Sequence, residues 1–448
     1  MKKVLVANRG EIAVRVIRAC RELGIQTVAV YSEADRDSLH AKLADESVCI
    51  GRAPSAESYL NIPAIMAAAE VSGADSIHPG YGFLSENAHF ADVCAKCGVN
   101  FIGPKADQMR QLGAKVAARD VARDAGLPFL PGAENALSGP EEALKIARAI
   151  GFPVIFKASG GGGGRGMKIV RDEEAVENAF LSCQNEARAA FGNPDVYAEK
   201  FLERPRHVEV QIMADSHGNI VHFGERDCSV QRRHQKVIEE APCPHFDEAD
   251  RKRVGGYAVS LARKVGYLGA GTVEFLMDDS RNVYFMEMNT RIQVEHPVTE
   301  LVTGFDLVRE QILVAQGKPL SVKQSDIKWR GHAIECRINA EDPKTFAPWP
   351  GKITAYSAPG GEGIRIDSFI YHGYTVVPHY DSMLSKVIAY APTRERAIEK
   401  MKRALHEYVI EGIRTNIPFH RRVLDHQVFR DARHSTRFLE EEGFVKSR

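Results

Sequence analysis

Apolar positions in the first hundred residues run on two periods. Short apolar stretches at 4–7, 27–31, 76–78 and 101–103 have the length of buried strands. Between the first two, Ile12, Val16, Ala19, Cys20 and Leu23 recur at helical spacing over 11–23, with Gly24 as the stop, and 62–70 predicts a second helix. Strands alternating with helices predict a doubly wound parallel sheet. Its first strand-to-helix turn reads Asn8-Arg9-Gly10, not G-x-G-x-x-G, so a dinucleotide site is not supported. The loop His78-Pro79-Gly80-Tyr81-Gly82 follows a strand's carboxyl end, where such sheets bind ligands and where a plain turn serves equally well.

From about 130 to 200 the pattern predicts a separate small unit. Strands at 153–157 and 168–170 flank five glycines at 160–164, with Lys157 and Lys168 at the two ends. The G-K-[ST] ending of a P-loop is missing. Glycine leaves backbone N–H groups free to approach phosphate oxygens, so the stretch reads as a phosphate cover, against the plainer alternative of a flexible linker. A helix over 172–190 follows, and a strand at 196–202 feeds a hinge at 203–206. Glu199 and Lys200 on that strand suit adenine recognition or a plain surface strand end. Lys115 opens an alanine-rich helical stretch and by itself reads as a surface lysine.

Alternation returns at 207–213 and 221–225. Residues 226–236 then carry five bases counting His234 and almost nothing apolar, which predicts a basic loop forming a local anion pocket. Cys228 within it reads as a buried thiol before a nucleophile. A long helix over 247–265 ends at Gly266.

The next pattern is a hairpin, with strands at 272–277 and 283–287 about a polar turn at 278–282. It sets Glu274 opposite or nearly opposite Glu287. Like charges across a hairpin repel, and a cation between them relieves the repulsion. Carboxylates alone suit Mg²⁺ or Mn²⁺. Continued as extended chain, the segment would project Glu287, Asn289, Arg291, Gln293 and Glu295 to one side. The alternative is a solvated edge. Val283, Tyr284, Phe285 and Met286 argue against it, as an apolar lead-in buried on both faces. Farther on, 330–340 alternates and puts Glu335, Arg337 and Asn339 on one face, 393–409 is an amphipathic helix, and 429–448 is a polar tail.

Composition narrows the classes. A chain of 448 residues predicts two to four domains. Lys+Arg and Asp+Glu both number 59, so no global basic field favours nucleic acid or an anionic membrane. No apolar run reaches membrane-spanning length, and the N-terminus lacks a signal-peptide pattern. Eight cysteines in a chain this long do not make a disulfide framework, and Cys94 and Cys97 form a lone CxxC read as core thiols. A reducing, cytoplasmic setting is expected.

Six segments carry a resemblance that spans the chain: NRGEIA at 8–13, HPGYGFLSEN at 78–87, KASGGGGGRGM at 157–167, ERDCSVQRRHQKVIEEAP at 225–242, EMNTRIQVEHPVTE at 287–300 and HAIECRINAEDP at 332–343. In these the chain resembles the biotin carboxylase family of the ATP-grasp superfamily. The resemblance implies an α/β ATP-grasp fold: a Rossmann-like N-terminal domain over 1–113, an ATP-grasp domain over 114–330 with a mobile lid at about 130–202, and a mixed-sheet C-terminal domain over 331–448. It implies that ATP lies between lid and body with Lys115 and Lys157 on its phosphates, that Glu199 and backbone near Leu202 hold adenine, that His207, Gln231 and His234 line the nucleotide pocket, and that Gly162, Gly163, Gly164, Met167, Lys200 and Leu276 also bind ATP. Magnesium or manganese would sit on Glu274, Glu287 and Asn289. Bicarbonate would be gripped by Lys236, Arg291, Gln293 and the Val294 N–H, and deprotonated by Glu295. The implied product, carboxyphosphate, yields CO₂, and Arg337 would stabilise the biotin enolate that captures it.

The same resemblance implies a homodimer using Arg18, Glu22 and Arg365, with Glu362 standing where an aromatic residue is common. No biotin-attachment segment is found, which implies a stand-alone subunit acting on a biotin carboxyl carrier protein, alongside carboxyltransferase subunits, in an acetyl-CoA carboxylase for fatty acid synthesis. Two other readings compete. Arg291, Gln293, Glu295 and Arg337 argue against an ATP-grasp ligase that joins a carboxylate to an amine. The presence of Glu274, Glu287 and Glu295 argues against a non-catalytic nucleotide-binding subunit.

Overall fold

The computed structural model describes residues 1–133, 135–158, 166–191 and 193–446. The chain forms two compact units. One comprises Met1–Leu127, Arg206–Met277 and Met286–Arg448; the other comprises Pro128–Pro205 and Asp278–Phe285.

The larger unit opens with the expected parallel sheet, in the order Glu46–Cys49, Gln26–Tyr31, Lys3–Val6, Ser76–His78, Asn100–Phe101. The apolar strand Lys3–Val6 is central and runs into helix Gly10–Glu22. Gly10 makes that turn at φ +69°, where a side chain is strained. Asn8 Nδ2 donates to the carbonyls of Pro79 and Tyr81, both at 2.7 Å, and stitches the 78–82 loop to the turn. A Cβ on Gly80 would stand 2.9 Å from that amide nitrogen, so only glycine fits. The edge strand Glu46–Cys49 is not predicted by the pattern. It is largely exposed, so its pairing rests on the backbone ladder and leaves no apolar signature.

The larger sheet has eight strands, in the order Val283–Asn289, Gly269–Met277, Arg206–Ala214, Ile220–Arg232, Gln235–Ala241, His332–Asn339, Met383–Ala391, Ile364–Ser368. Four expectations are corrected here. Residues 226–236 are not a loop: strand Ile220–Arg232 turns at Arg233 and His234, both at positive φ, into Gln235–Ala241. Arg226, Asp227, Cys228 and Ser229 are buried among polar partners, so the strand lacks the apolar contrast that periodicity reads. Extended chain does not run from 287 to 295 either. The strand ends at Asn289, and Glu295 caps helix His296–Thr303 at φ −82°, ψ 10°. The lead-in to Glu287 is not buried on both faces, since Met286 is 40 % exposed. Nor is the C-terminal stretch merely polar: Phe429, Phe438 and Leu439 pack with Phe419 and Leu424 in the core beneath strand Met383–Ala391.

The smaller unit is a three-stranded antiparallel sheet, ordered Met167–Val170, Val154–Ala158, Val196–Lys200, with helices Pro140–Ile150 and Val176–Phe191. Its core includes Val154, Val196 and an edge-to-face pair, Phe156 and Phe180. The second helix starts at Val176 instead of 172, because the Asp172 carboxylate accepts from the Ala175 N–H in a turn. The polar turn predicted at 278–282 forms, with Asp278 N–H donating to the Asn282 carbonyl. The expected glycine lid, with Gly162, Gly163 and Gly164, lies outside the described residues.

Candidate active site

The site in the larger unit begins with strand register. Strands Arg206–Ala214 and Gly269–Met277 pair so that Glu209 faces Glu274 and His207 faces Leu276. Side chains two apart share a face, so His207, Glu209 and Glu274 project together. Arg226 stands opposite Glu209 on the next strand and is wholly buried. It bonds Glu209, Gln211 (2.9 Å) and Thr299 (3.0 Å).

Lys236 occupies the centre of charge. Its ammonium donates to Glu274 Oε1 at 2.8 Å, to Glu295 Oε1 at 2.7 Å and to Glu209. The other oxygen of Glu295 accepts from Arg337 Nη2 at 2.9 Å, while Arg337 Nε bonds Glu239 at 2.6 Å. The bent segment 290–295 folds its side chains inward despite the lost alternation. Asn289 Nδ2 and Gln293 Nε2 both donate to Glu274 Oε1, at 2.9 and 3.3 Å. Arg291 bonds Asn289 and Gln293, each at 3.1 Å, and Glu86 at 2.9 Å. Gln231 Nε2 lies 2.8 Å from His207 Nδ1, and His207 Nε2 lies 3.1 Å from Glu274. The carbonyl of Val294 accepts from Lys386 at 2.7 Å.

Electrostatics sorts these groups. Burial works to raise the Glu295 carboxyl, but Lys236, Arg337 and Arg226 outweigh it and hold it well below its ordinary value. It stays ionised at neutral pH. Lys236 is held well above its ordinary value: burial opposes this, and Glu209, Glu274 and Glu295 overcome it. Burial pushes Glu239 up to about 7 despite Arg337. Burial likewise lifts the Cys228 thiol well above the usual range, with Glu209 adding to it, so a nucleophilic thiolate is not available there.

The two carboxylates expected to hold a metal, Glu274 and Glu287, differ. Glu274 is buried and held low, burial being overcome by Lys236 and His207. Glu287 is exposed and makes no hydrogen bond or ion pair among the described residues. The carboxyl is nonetheless partly shielded from water by its neighbours, and that desolvation, followed by the charge of Glu274, raises its pKa. A carboxylate without a cationic partner, beside a second carboxylate and an amide, is a donor set that suits a hard divalent ion.

The remaining predicted residues lie as follows. His234 is exposed at the hairpin turn, Leu276 is half-buried on its strand, and the Lys115 side chain lies outside the description. On the smaller unit, Lys157 pairs with Glu199 at 2.5 Å, Lys168 with Glu186 at 2.6 Å, and Lys200 donates to the carbonyls of Gly151 and Phe152. Met167 and Leu202 are half-buried there.

Sequence reasoning passed over Glu209, Arg226, Glu239 and Glu86. Glu209 had a signal, since the alternation at 207–211 puts His207, Glu209 and Gln211 on one face. Glu86 stood within the motif at 78–87, but nothing along the chain tied it to Arg291, 205 positions away.

Cations paired around a buried carboxylate, on a sheet of this order, define a class of enzyme that comparison makes explicit. Residues 114–323 match the model of the carbamoyl-phosphate synthase L chain ATP-binding domain, which sets the ATP-grasp class. Residues 1–109 match the biotin carboxylase N-terminal domain, and 335–441 the biotin carboxylase C-terminal domain. A biotin carboxylase of Haemophilus influenzae is 58 % identical over 441 residues, covering 98 % of each chain. A solved biotin carboxylase of Campylobacter jejuni, in complex with β,γ-ATP, is 51 % identical, with TM-score 0.91 and 98 % of each chain covered. The biotin carboxylase domain of a thermophilic 2-oxoglutarate carboxylase bound to bicarbonate is 47 % identical, with TM-score 0.95, covering 100 % of this chain and 99 % of that one. The chain belongs to the biotin carboxylase family.

Proposed function

We propose that the protein carboxylates biotin, with ATP and bicarbonate consumed and ADP and phosphate released. The observation that carries this is Glu295, ionised and clamped on its two oxygens by Lys236 and Arg337. A general base for bicarbonate must be charged before substrate arrives, and this one is.

In this reading Lys236, Arg291, Gln293 and the Val294 N–H hold the bicarbonate anion, and Lys236 exchanges one of its three carboxylate partners for it. Glu295 takes the bicarbonate proton, so the anion attacks the terminal phosphoryl group of ATP, giving carboxyphosphate and ADP. Carboxyphosphate then breaks its C–O bond to give CO₂ and phosphate, the phosphate takes the ureido N–H proton of biotin, and Arg337, a fixed guanidinium beside the base, is placed to stabilise the resulting enolate as it accepts CO₂. Glu274 and Glu287, with Asn289, would hold Mg²⁺ or Mn²⁺, which supplies charge neutralisation on the phosphate oxygens. Lys115, Lys157, Gly162, Gly163, Gly164, Met167, Glu199, Lys200, Leu202, His207, Gln231, His234 and Leu276 are assigned to ATP.

The division into 1–113, 114–330 with a lid at about 130–202, and 331–448 belongs to this proposal. So do a homodimer, a biotin carboxyl carrier protein with carboxyltransferase subunits as partners, and a cytoplasmic setting. All eight cysteines are free, which suits a reducing compartment, and among the described residues no helix is long and apolar enough to cross a membrane. Arg18 and Glu22 are exposed on the first helix, as an interface role requires, and Glu362 is fully open.

The test is ATP hydrolysis with Mg²⁺ and bicarbonate, with and without free biotin. Bicarbonate-dependent turnover stimulated by biotin is expected. Turnover indifferent to both would overturn the reading.

A further inference from the structure

Lys386 lies behind the segment that carries Glu295. It is wholly buried on strand Met383–Ala391, and its ammonium donates to the Val294 carbonyl at 2.7 Å. That carbonyl belongs to the peptide unit whose nitrogen is Glu295's own. Because a peptide is planar, a fixed carbonyl fixes the plane from which the Glu295 side chain departs.

The segment 290–295 has no ladder to hold it, so its anchors are separate bonds. Thr290 N–H donates to Glu86 at 3.0 Å, and His296 Nδ1 lies 2.8 Å from the Gln293 carbonyl. Lys386 adds a hold on the peptide that leads into Glu295 itself. The lysine is in turn located by the sheet. It stands in register with Arg337 on one neighbouring strand and with Asp367 on the other, so the three share a face. Glu11 lies 3.2 Å and Asp367 3.9 Å from its nitrogen. Burial alone would lower its pKa, and Glu11, Glu335 and Asp367 reverse that, so the donor stays charged. A lysine serving only to neutralise those carboxylates has no need of a loop carbonyl; this one spends a short, charge-assisted bond on it.

We propose that Lys386 is a positioning residue for the reaction: it fixes the Val294–Glu295 peptide so that the Glu295 carboxylate stands between Lys236 and Arg337. The proposal rests on Glu295 being the base.

Lys386→Met removes the donor but strands Glu11, so it is compared with Glu11→Gln/Lys386→Met, which restores charge balance without restoring the donor. Both are assayed for melting temperature and steady-state turnover beside wild type. The double variant is expected to regain the melting temperature lost by the single one, yet to keep a kcat reduced about tenfold or more with the KM for ATP within about twofold of wild type. Recovery of kcat together with melting temperature would make Lys386 a structural partner of Glu11 and overturn the proposal. So would a folded Lys386→Met with wild-type kcat. A wild-type protein without bicarbonate- and biotin-dependent turnover would instead sink the assignment of Glu295.

Discussion

Arg337 Nη2 stands 2.9 Å from Glu295 Oε2, while Nε of the same guanidinium holds Glu239 at 2.6 Å. One rigid fork therefore ties the proposed base to a second buried carboxylate. A lysine presents a single point charge and cannot make both contacts with that geometry. In Arg337→Lys, biotin-stimulated turnover is expected to fall roughly 100-fold, with the biotin-independent ATPase within about threefold of wild type. Parallel assays of ADP release with and without biotin separate the two.

Glu295→Gln keeps the size of the base and removes its charge. Both turnover activities should drop by about 100-fold or more, since general-base contributions run to that size. Nucleotide binding by calorimetry should persist. A Gln variant that retains turnover would move the base elsewhere.

The raised pKa of Glu287 comes from its surroundings and from the charge of Glu274. A divalent cation binds the ionised carboxylate in competition with protons, so metal binding should weaken as pH falls. Glu287→Gln is expected to lower Mn²⁺ affinity at least tenfold, on the scale of lost ligand contacts, and to flatten its pH dependence. Electron paramagnetic resonance titrations at two pH values measure both.

Acid stability should depend on Glu240. Burial works to raise its pKa, but Arg394 and His332 overcome it and hold it at about 2, against 4.5 for a free glutamate. A depressed carboxyl stabilises the fold above its unfolded value and loses that contribution as pH falls through the folded value. The shift corresponds to roughly 3 kcal/mol, present above about pH 4.5 and gone near pH 2. Urea midpoints over that range should fall steeply for wild type and less steeply for Glu240→Gln.

Arg226 tests the base of the site by stability alone. With no exposed surface and bonds to Glu209, Gln211 and Thr299, it leaves Glu209 buried without one of the two cations bonded to it when replaced. Arg226→Met should cost about 3–5 kcal/mol in chemical denaturation, the size expected when one partner of a buried pair is removed. A loss below 1 kcal/mol would mean that Lys236 alone neutralises Glu209.

The sequence by itself determined the parallel N-terminal sheet, the 278–282 turn, the alternation that sets Arg337, and the motifs that carry the family. Each is local: a period, a turn residue, or a run of residue types read within a dozen positions. Tertiary structure alone decided the rest. Residues 226–236 read as a loop because their buried side chains are polar, and burial among polar partners leaves no apolar period. The bend after Asn289 was hidden because polar side chains on a strand and on a folded-back loop look alike in sequence. Contacts such as Lys236 with Glu209, Arg291 with Glu86 and Lys386 with Val294 join residues 27 to 205 positions apart. Charge attraction acts through space with no trace along the chain, so the sheet had to bring those groups together before the site could be seen.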